Sequence, residues 1–239
     1  MDKVKKQLLQ AAINHGSIRK DVLRELLANL CDAYDVREPE SATALNSFIA
    51  EIDASIRTYD QTLQIIKHPL NGEEYLVFAL LIVNQACKFQ PQYTDTERNY
   101  FYKLLETLVS SDDYGIEWMD IYRVANLIPA NVQRPLSKQR IQDLETIWMS
   151  QGYFLEKDEK IYLGPRSMLE YGNYLKKNFP EYIKDCILCN KIVYWDVKCS
   201  ECDVKLHRQC IRKYLTKKST CPGCKRTWNT RLSLSQPPN

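Results

Sequence analysis

The chain has 239 residues, 44% of them hydrophobic, with 33 Lys and Arg against 30 Asp and Glu for a formal net charge of +3. That is room for one large domain or two to three small ones, with ordinary buried cores. The charged start Met1-Asp2-Lys3-Val4-Lys5-Lys6 runs into no apolar stretch with a small-residue cleavage site. The longest apolar run, 75–83, has nine residues where a bilayer takes about 20. A secretory signal and a membrane span are excluded on this reading, and a soluble intracellular protein is expected.

Val4, Leu8, Leu9, Ala12 and Ile13 fall at helical spacing, and His15-Gly16 ends that run. Ile18, Val22, Leu23, Leu26, Leu27 and Leu30 predict a second helix. Leu45, Phe48, Ile49, Ile52 and Ile56 form the inner face of a third, over about 44–59. Residues 62–67 and 75–81 then read as strands joined by His68-Pro69-Leu70-Asn71-Gly72, whose Asn-Gly is a strong turn signal. Three helices and a hairpin make the winged-helix order, so residues 1–92 are expected to be one winged-helix domain.

The order recurs over 93–181. Thr94-x-x-Glu97 is a capping box opening a helix through Phe101, Leu104, Leu105, Leu108 and Val109. Residues 116–127 predict a second helix stopped by Pro129, and Ser137 caps a third with Ile141, Leu144, Ile147 and Trp148 inward. Tyr153-Phe154-Leu155, the turn Lys157-Asp158-Glu159 and Ile161-Tyr162-Leu163 predict a second wing. A last helix, 165–178, leads out through Phe179-Pro180.

Winged helices read DNA through the third helix. Here Glu40, Glu51 and Asp53 stand against Arg57 in the first unit, and Asp143 and Glu145 follow Lys138 and Arg140 in the second. Such faces repel phosphates, so protein docking is their expected use. Cys31 and Cys87 read as buried small residues and His15 and His68 as turn residues, and no triad, phosphate loop or carboxylate pair is found.

Seven of the nine cysteines lie within 186–224. In a reducing compartment such clustering points to metal. Cys186-x2-Cys189, Cys199-x2-Cys202, His207-x2-Cys210 and Cys221-x2-Cys224 are four knuckles, each able to give two ligands to one tetrahedral zinc. Eight ligands make two closed structural Zn2+ sites. An interleaved pairing puts Cys186, Cys189, His207 and Cys210 on one ion and Cys199, Cys202, Cys221 and Cys224 on the other. A sequential pairing would join Cys186, Cys189, Cys199 and Cys202 instead. Interleaving suits a segment of about 45 residues, too short for a core of its own. From position 176 on there are 14 basic and 5 acidic residues, a balance of +9, against −6 for the first 175. Seven thiolates on two divalent ions carry −3, leaving +6. That surface reads either as a solvated face keeping the zinc domain soluble or as a contact with DNA of no particular sequence.

Four Cys, one His and three Cys is an order that resembles variant RING domains and PHD fingers. A PHD finger carries Trp where this chain has Ser219, whereas Cys221-Pro222-Gly223-Cys224-Lys225-Arg226 resembles the end of RING ubiquitin ligases. That resemblance implies that Ile187 or Leu188 and Pro222 dock a ubiquitin-conjugating enzyme, with Lys225 and Arg226 hydrogen-bonding it and ubiquitin. Such a ligase has no nucleophile; it orients a loaded carrier for attack. The other reading, that Ile187, Leu188 and Pro222 only pack the knuckles, stays open.

The expected fold class is α+β, mainly helical: two tandem winged helices, then a two-zinc cross-brace of variant-RING type over 182–230 and a disordered tail over 231–239. This order resembles the first non-SMC element of the Smc five–six complex, most clearly from Gly152-Tyr153-Phe154-Leu155-Glu156-Lys157 through Ile161-Tyr162-Leu163-Gly164-Pro165-Arg166 and from Phe179-Pro180 to Trp228. The resemblance implies a MAGE-type subunit and a kleisin subunit as partners, a chromosome-associated place in the nucleus, and a partner-dependent ubiquitin ligase serving DNA repair by homologous recombination and genome maintenance. It also leaves the alternative of an assembly module that only docks those subunits.

Overall fold

Helix α1 (Lys3–His15) opens where the Asp2 carboxylate accepts from the Lys5 N–H at 2.9 Å. It closes at Gly16, whose φ of 69° lies in the region glycine tolerates best. Strand β1 (Ser17–Arg19), helices α2 (Lys20–Ala33) and α3 (Ala42–Ile56), a 3-10 turn at Arg57–Tyr59, and strands β2 (Gln61–Lys67) and β3 (Glu74–Leu80) follow. The computed structural model describes residues 2–81, 92–128, 135–195 and 197–229. Cys87, Pro129 and the tail 231–239 lie outside them.

In the first unit the antiparallel sheet runs β1-β3-β2, with Ser17 opposite Val77 and Lys67 opposite Glu74. Leu8, Leu23, Leu27, Ile49, Ile52, Leu63 and Leu76 fill the space between sheet and helices. Ile18, read above as part of the second helix, is instead buried in β1, and Val22 is 50% exposed. A three-residue strand is too short to show a period of two. Glu40 precedes the third helix, and Asp53 on it is committed to the fold: its carboxylate accepts from the Thr62 hydroxyl, the Leu63 N–H and Arg57.

The second unit repeats that order: α4 (Asp95–Ser110), β4 (Gly115–Glu117), α5 (Asp120–Asn126), α6 (Lys138–Ser150), β5 (Phe154–Lys157) and β6 (Lys160–Leu163), with a sheet ordered β4-β6-β5. The capping box of α4 is complete, Glu97 accepting from the Thr94 N–H at 2.7 Å. Ser137 accepts from the Arg140 N–H at 3.1 Å. Ile116 stands in β4 and not in a helix, for the same reason as Ile18. Ile147 faces outward at 37% exposure. The 165–178 helix is two pieces, α7 (Pro165–Glu170) and α8 (Gly172–Asn178), meeting at Tyr171. Trp148 centres this core, its ring 5.0 Å from Phe101, 5.7 Å from Tyr100 and 6.0 Å from Phe154. Glu145 is buried beside it; Tyr100 donates to its Oε1 at 3.0 Å, and among the described residues Oε2 has no hydrogen-bond partner. Burial pushes this carboxyl up to about 8, despite the Tyr100 hydrogen bond that pulls the other way.

The two units meet at α7, which packs on β3. Arg166 and Glu170 of α7 form a buried pair at 3.1 Å. A methyl on Gly16 would lie 2.3 Å from Arg166, and one on Gly152 2.3 Å from Ser17. Both glycines thus let the units approach closely. His68, read above as a turn residue, is fully buried here. Its Nε2–H donates to the Leu163 carbonyl at 2.9 Å, and its Nδ1 accepts from the Leu70 N–H. Burial holds this imidazole down at about 4, so it is neutral.

The C-terminal module is small: β7 (Lys184–Asp185), β8 (Ile192–Val193), β9 (Val197–Lys198), β10 (Lys205–Leu206) and α9 (Arg208–Leu215). Among the described residues its buried cluster is Cys186, Val193, Leu206 and Ile211. Ile183 and Tyr194, by contrast, belong to the core of the second unit. Trp195 enters the same junction, 5.3 Å from the His68 ring and 5.5 Å from Tyr114, and donates to the Asp113 carbonyl at 2.8 Å. Lys205 adds a bond to the Tyr114 hydroxyl at 3.1 Å. The zinc module is therefore seated on both preceding units.

Candidate metal centre

Each of the four pairs is placed by local structure so that its two ligand atoms come together. Cys186 and Cys189 sit in the β7–β8 turn, where the Asn190 N–H donates to the Cys186 carbonyl at 2.8 Å. Cys199 and Cys202 lie between β9 and β10. His207 is the N-cap residue of α9 and Cys210 is in its first turn. Cys221 and Cys224 occupy a turn clamped by the Thr220–Thr227 bridge and the Cys221 N–H bond to the Arg226 carbonyl at 2.8 Å.

The fold gathers these eight side chains into two groups whose ligand atoms all lie within 4.8 Å of one another: Cys186, Cys189, His207 and Cys210, and Cys199, Cys202, Cys221 and Cys224. The grouping is interleaved; the sequential one is not formed. Cys199 Sγ is 3.9 Å from Cys224 Sγ, and Cys202 Sγ is 3.8 Å from Cys221 Sγ. Zinc–sulfur bonds of about 2.3 Å in a tetrahedral site put sulfurs about 3.8 Å apart, so this donor set and spacing fit zinc. His207 Nε2–H donates to the Ile192 carbonyl at 3.0 Å, which leaves Nδ1 as the ligand atom, 3.3 Å from Cys189 Sγ. This orienting carbonyl had no mark in the sequence.

Packing the thiols this closely also changes what it costs to ionise them. Burial pushes Cys210 up to about 12, and the neighbouring thiols Cys189 and Cys186 add to the rise. Burial raises Cys221 to about 11, against the backbone N–H groups of Cys224 and Gly223. Burial raises Cys186 too, but the N–H groups of His207, Leu188 and Cys189 outweigh it and bring that thiol down to about 7. Three or four thiolates this close repel one another, and a divalent cation at their centre removes the penalty. No position is left for a reacting water, so zinc here is structural.

Around the knuckles, Ile187 is 46% exposed while Leu188 turns inward onto the small cluster. Pro222 is half-buried. Lys225 has a φ of 63° and donates its ammonium to the Pro222 carbonyl at 2.7 Å. Arg226 pairs with Glu201. Among the described residues, no helix is long and apolar enough to cross a membrane.

Two units of like topology carrying an interleaved Cys/His module define a class: a helix–hairpin tandem with a C-terminal RING-like domain. The family described as "RING-like domain" matches residues 186–224, and that described as "Nse1 non-SMC component of SMC5-6 complex" matches 5–170. The chain is 37% identical over 235 residues to the "Non-structural maintenance of chromosomes element 1 homolog" of Drosophila melanogaster, covering 98% of this chain and 99% of that one. To the protein of the same description from Xenopus laevis it is 22% identical over 224 residues, 93% of this chain and 81% of that one. It has the fold of a chain in the solved "Nse1-Nse3-Nse4 complex", with a TM-score of 0.78 at 21% identity, covering 97% of this chain and 98% of that one. The chain belongs to the Nse1 family of non-SMC components of the SMC5-6 complex.

Proposed function

We propose that this chain is a RING-type ubiquitin ligase subunit of the SMC5-6 complex, working with a MAGE-type and a kleisin subunit in the nucleus, in DNA repair by homologous recombination and genome maintenance. Residues 1–92 and 93–181 serve as winged helices that dock those subunits, and 182–230 as the zinc module. Cys186, Cys189, His207 and Cys210 hold one zinc ion, and Cys199, Cys202, Cys221 and Cys224 the other. The observation that carries the ligase reading is an exposed Ile187 in the first knuckle, on a module whose last knuckle is Cys221-Pro222-Gly223-Cys224-Lys225. A loaded ubiquitin-conjugating enzyme would rest on Ile187, Leu188 and Pro222, with Lys225 and Arg226 at its edge, and the chain would act by orientation alone. The complex named for the solved relative supports the choice of subunits.

The second reading is an assembly module without activity. It is favoured by Lys225 and Arg226, whose exposed side chains are already bonded to the Pro222 carbonyl and to Glu201. The two separate on discharge of ubiquitin from preloaded conjugating enzymes onto free lysine, with the chain alone and with its MAGE-type partner. The ligase reading expects faster discharge with the partner, lost in Ile187→Ala and Pro222→Ala while the subunits still assemble. No acceleration by a folded, zinc-loaded assembly across a panel of enzymes leaves only the assembly role.

A further inference from the structure

We propose that the outer face of α9 and the turn after it bind the phosphate backbone of nucleic acid without reading its sequence. Ile211 turns inward from α9 into the small buried cluster, and Cys210 belongs to the first ligand group. The opposite face, Arg208, Gln209, Arg212, Lys213 and Thr216, is exposed, and so are Lys217 and Lys218 beyond the helix end. No Asp or Glu follows Asp203 in the sequence, so α9 and the turn after it carry no carboxylate of their own.

Several cations elsewhere on the surface are paired: Arg19 with Asp21, Arg37 with Glu40, Arg123 with Asp120, Lys160 with Asp113. Within the module, Arg226 is held by Glu201, and Lys205 is spent on Tyr114 and the Tyr182 carbonyl. Arg212, Lys213, Lys217 and Lys218 form no ion pair among the described residues; Lys218 only overlies the Tyr214 ring. Cations in the last turn of a helix also favour its dipole, by about 0.3 to 1 kcal/mol each. That accounts for a Lys or Arg near the C-terminus of α9 but not for a face free of carboxylates. The clusters' own charge does not cancel it either, since the balance beyond residue 175 stays positive with both ions counted.

The make-up of the face selects the ligand. No large hydrophobic side chain on α9 is exposed. Protein interfaces rest on aromatic and apolar anchors. A polyanion needs only cations and hydrogen-bond donors, here ammonium and guanidinium groups with Gln209 and Thr216 between them. The proposal uses none of Ile187, Leu188 and Pro222, so it does not depend on ligase activity.

The test uses the full zinc-loaded chain, fluorescence anisotropy and a labelled duplex of about 30 base pairs across a salt series. Binding is expected, and Arg212→Ala/Lys213→Ala/Lys217→Ala should weaken it by about tenfold or more and lower the salt slope by about one for each residue removed. Lys217→Ala/Lys218→Ala, outside the helix, should lower the slope by about two if the triple variant loses zinc or melts early. Lys6→Ala/Arg24→Ala/Lys67→Ala, on the first unit, should change neither. The proposal is overturned if the wild-type chain does not bind at the lowest salt, or if both variants bind as it does. Equal binding to labelled polyglutamate would also overturn it, in favour of an acidic protein.

Discussion

The second unit and the zinc module lie against each other and are held together by different physics. The unit buries Trp148, Tyr100, Phe101, Phe154 and a long set of aliphatic side chains. The module buries two cysteine-adjacent strands' worth of Val193 and Leu206, together with Ile211 and Cys186. At about 25 cal/mol per Å2 of apolar surface, the first is a core that can offset chain entropy, while the second needs ligand bonds to do so. The difference shows that a metal can stand in for a core where the chain is short. It also predicts that the two regions fail under different insults.

Zinc removal should give the largest effect. Apparent zinc binding is worth about 10 to 16 kcal/mol in small zinc modules at neutral pH, so a chelator, or Cys199→Ser, should unfold 182–230 while the helical units stay folded. Loss of amide protection confined to the module, seen by hydrogen exchange, checks this; a whole-chain collapse would show that the Trp195 junction couples the regions. In the unit, Trp148→Ala should cost about 3 to 5 kcal/mol by denaturant titration and leave the zinc content of the chain unchanged.

A smaller effect depends on pH. Glu145 is protonated in the folded unit because burial raises it from 4.5 to about 8. Its contribution is whole below the ordinary carboxylate value and is lost as pH rises towards 8. His68, lowered from 6.5 to about 4, has the opposite sign: its contribution is whole above 6.5 and lost as pH falls through 4. The two oppose each other in mild acid, and above 6.5 only Glu145 remains. The part of the stability that Glu145 contributes should therefore fall between pH 6.5 and 8 with a slope approaching 1.4 kcal/mol per unit, about what one proton gives. Glu145→Gln should flatten that difference when both chains are melted with zinc in excess. The smallest expected change is Ser137→Ala, which removes the cap of α6 for about 1 kcal/mol of the unit's stability by denaturant titration. Such a loss should leave the module untouched.

What the sequence alone determined was local. Capping residues at 94 and 137, hairpin turns with Asn-Gly or Lys-Asp-Glu, and four knuckles of fixed spacing each act over three to five neighbouring residues, and so are written in order along the chain. What it could not determine were contacts between distant residues. Strands of three residues carry no period, which is why Ile18 and Ile116 passed for helix. His68 does stand in the turn between β2 and β3, but its burial was illegible because its partners are Leu163 and Trp195, far along the chain. The pairing of knuckles was open for the same reason: spacing makes a knuckle, but only β9, β10 and α9 folding back decide which two share an ion. The cationic face of α9 lies between these cases. Its charges are legible one by one, but their exposure on a common face depends on which side of the helix Ile211 pulls inward.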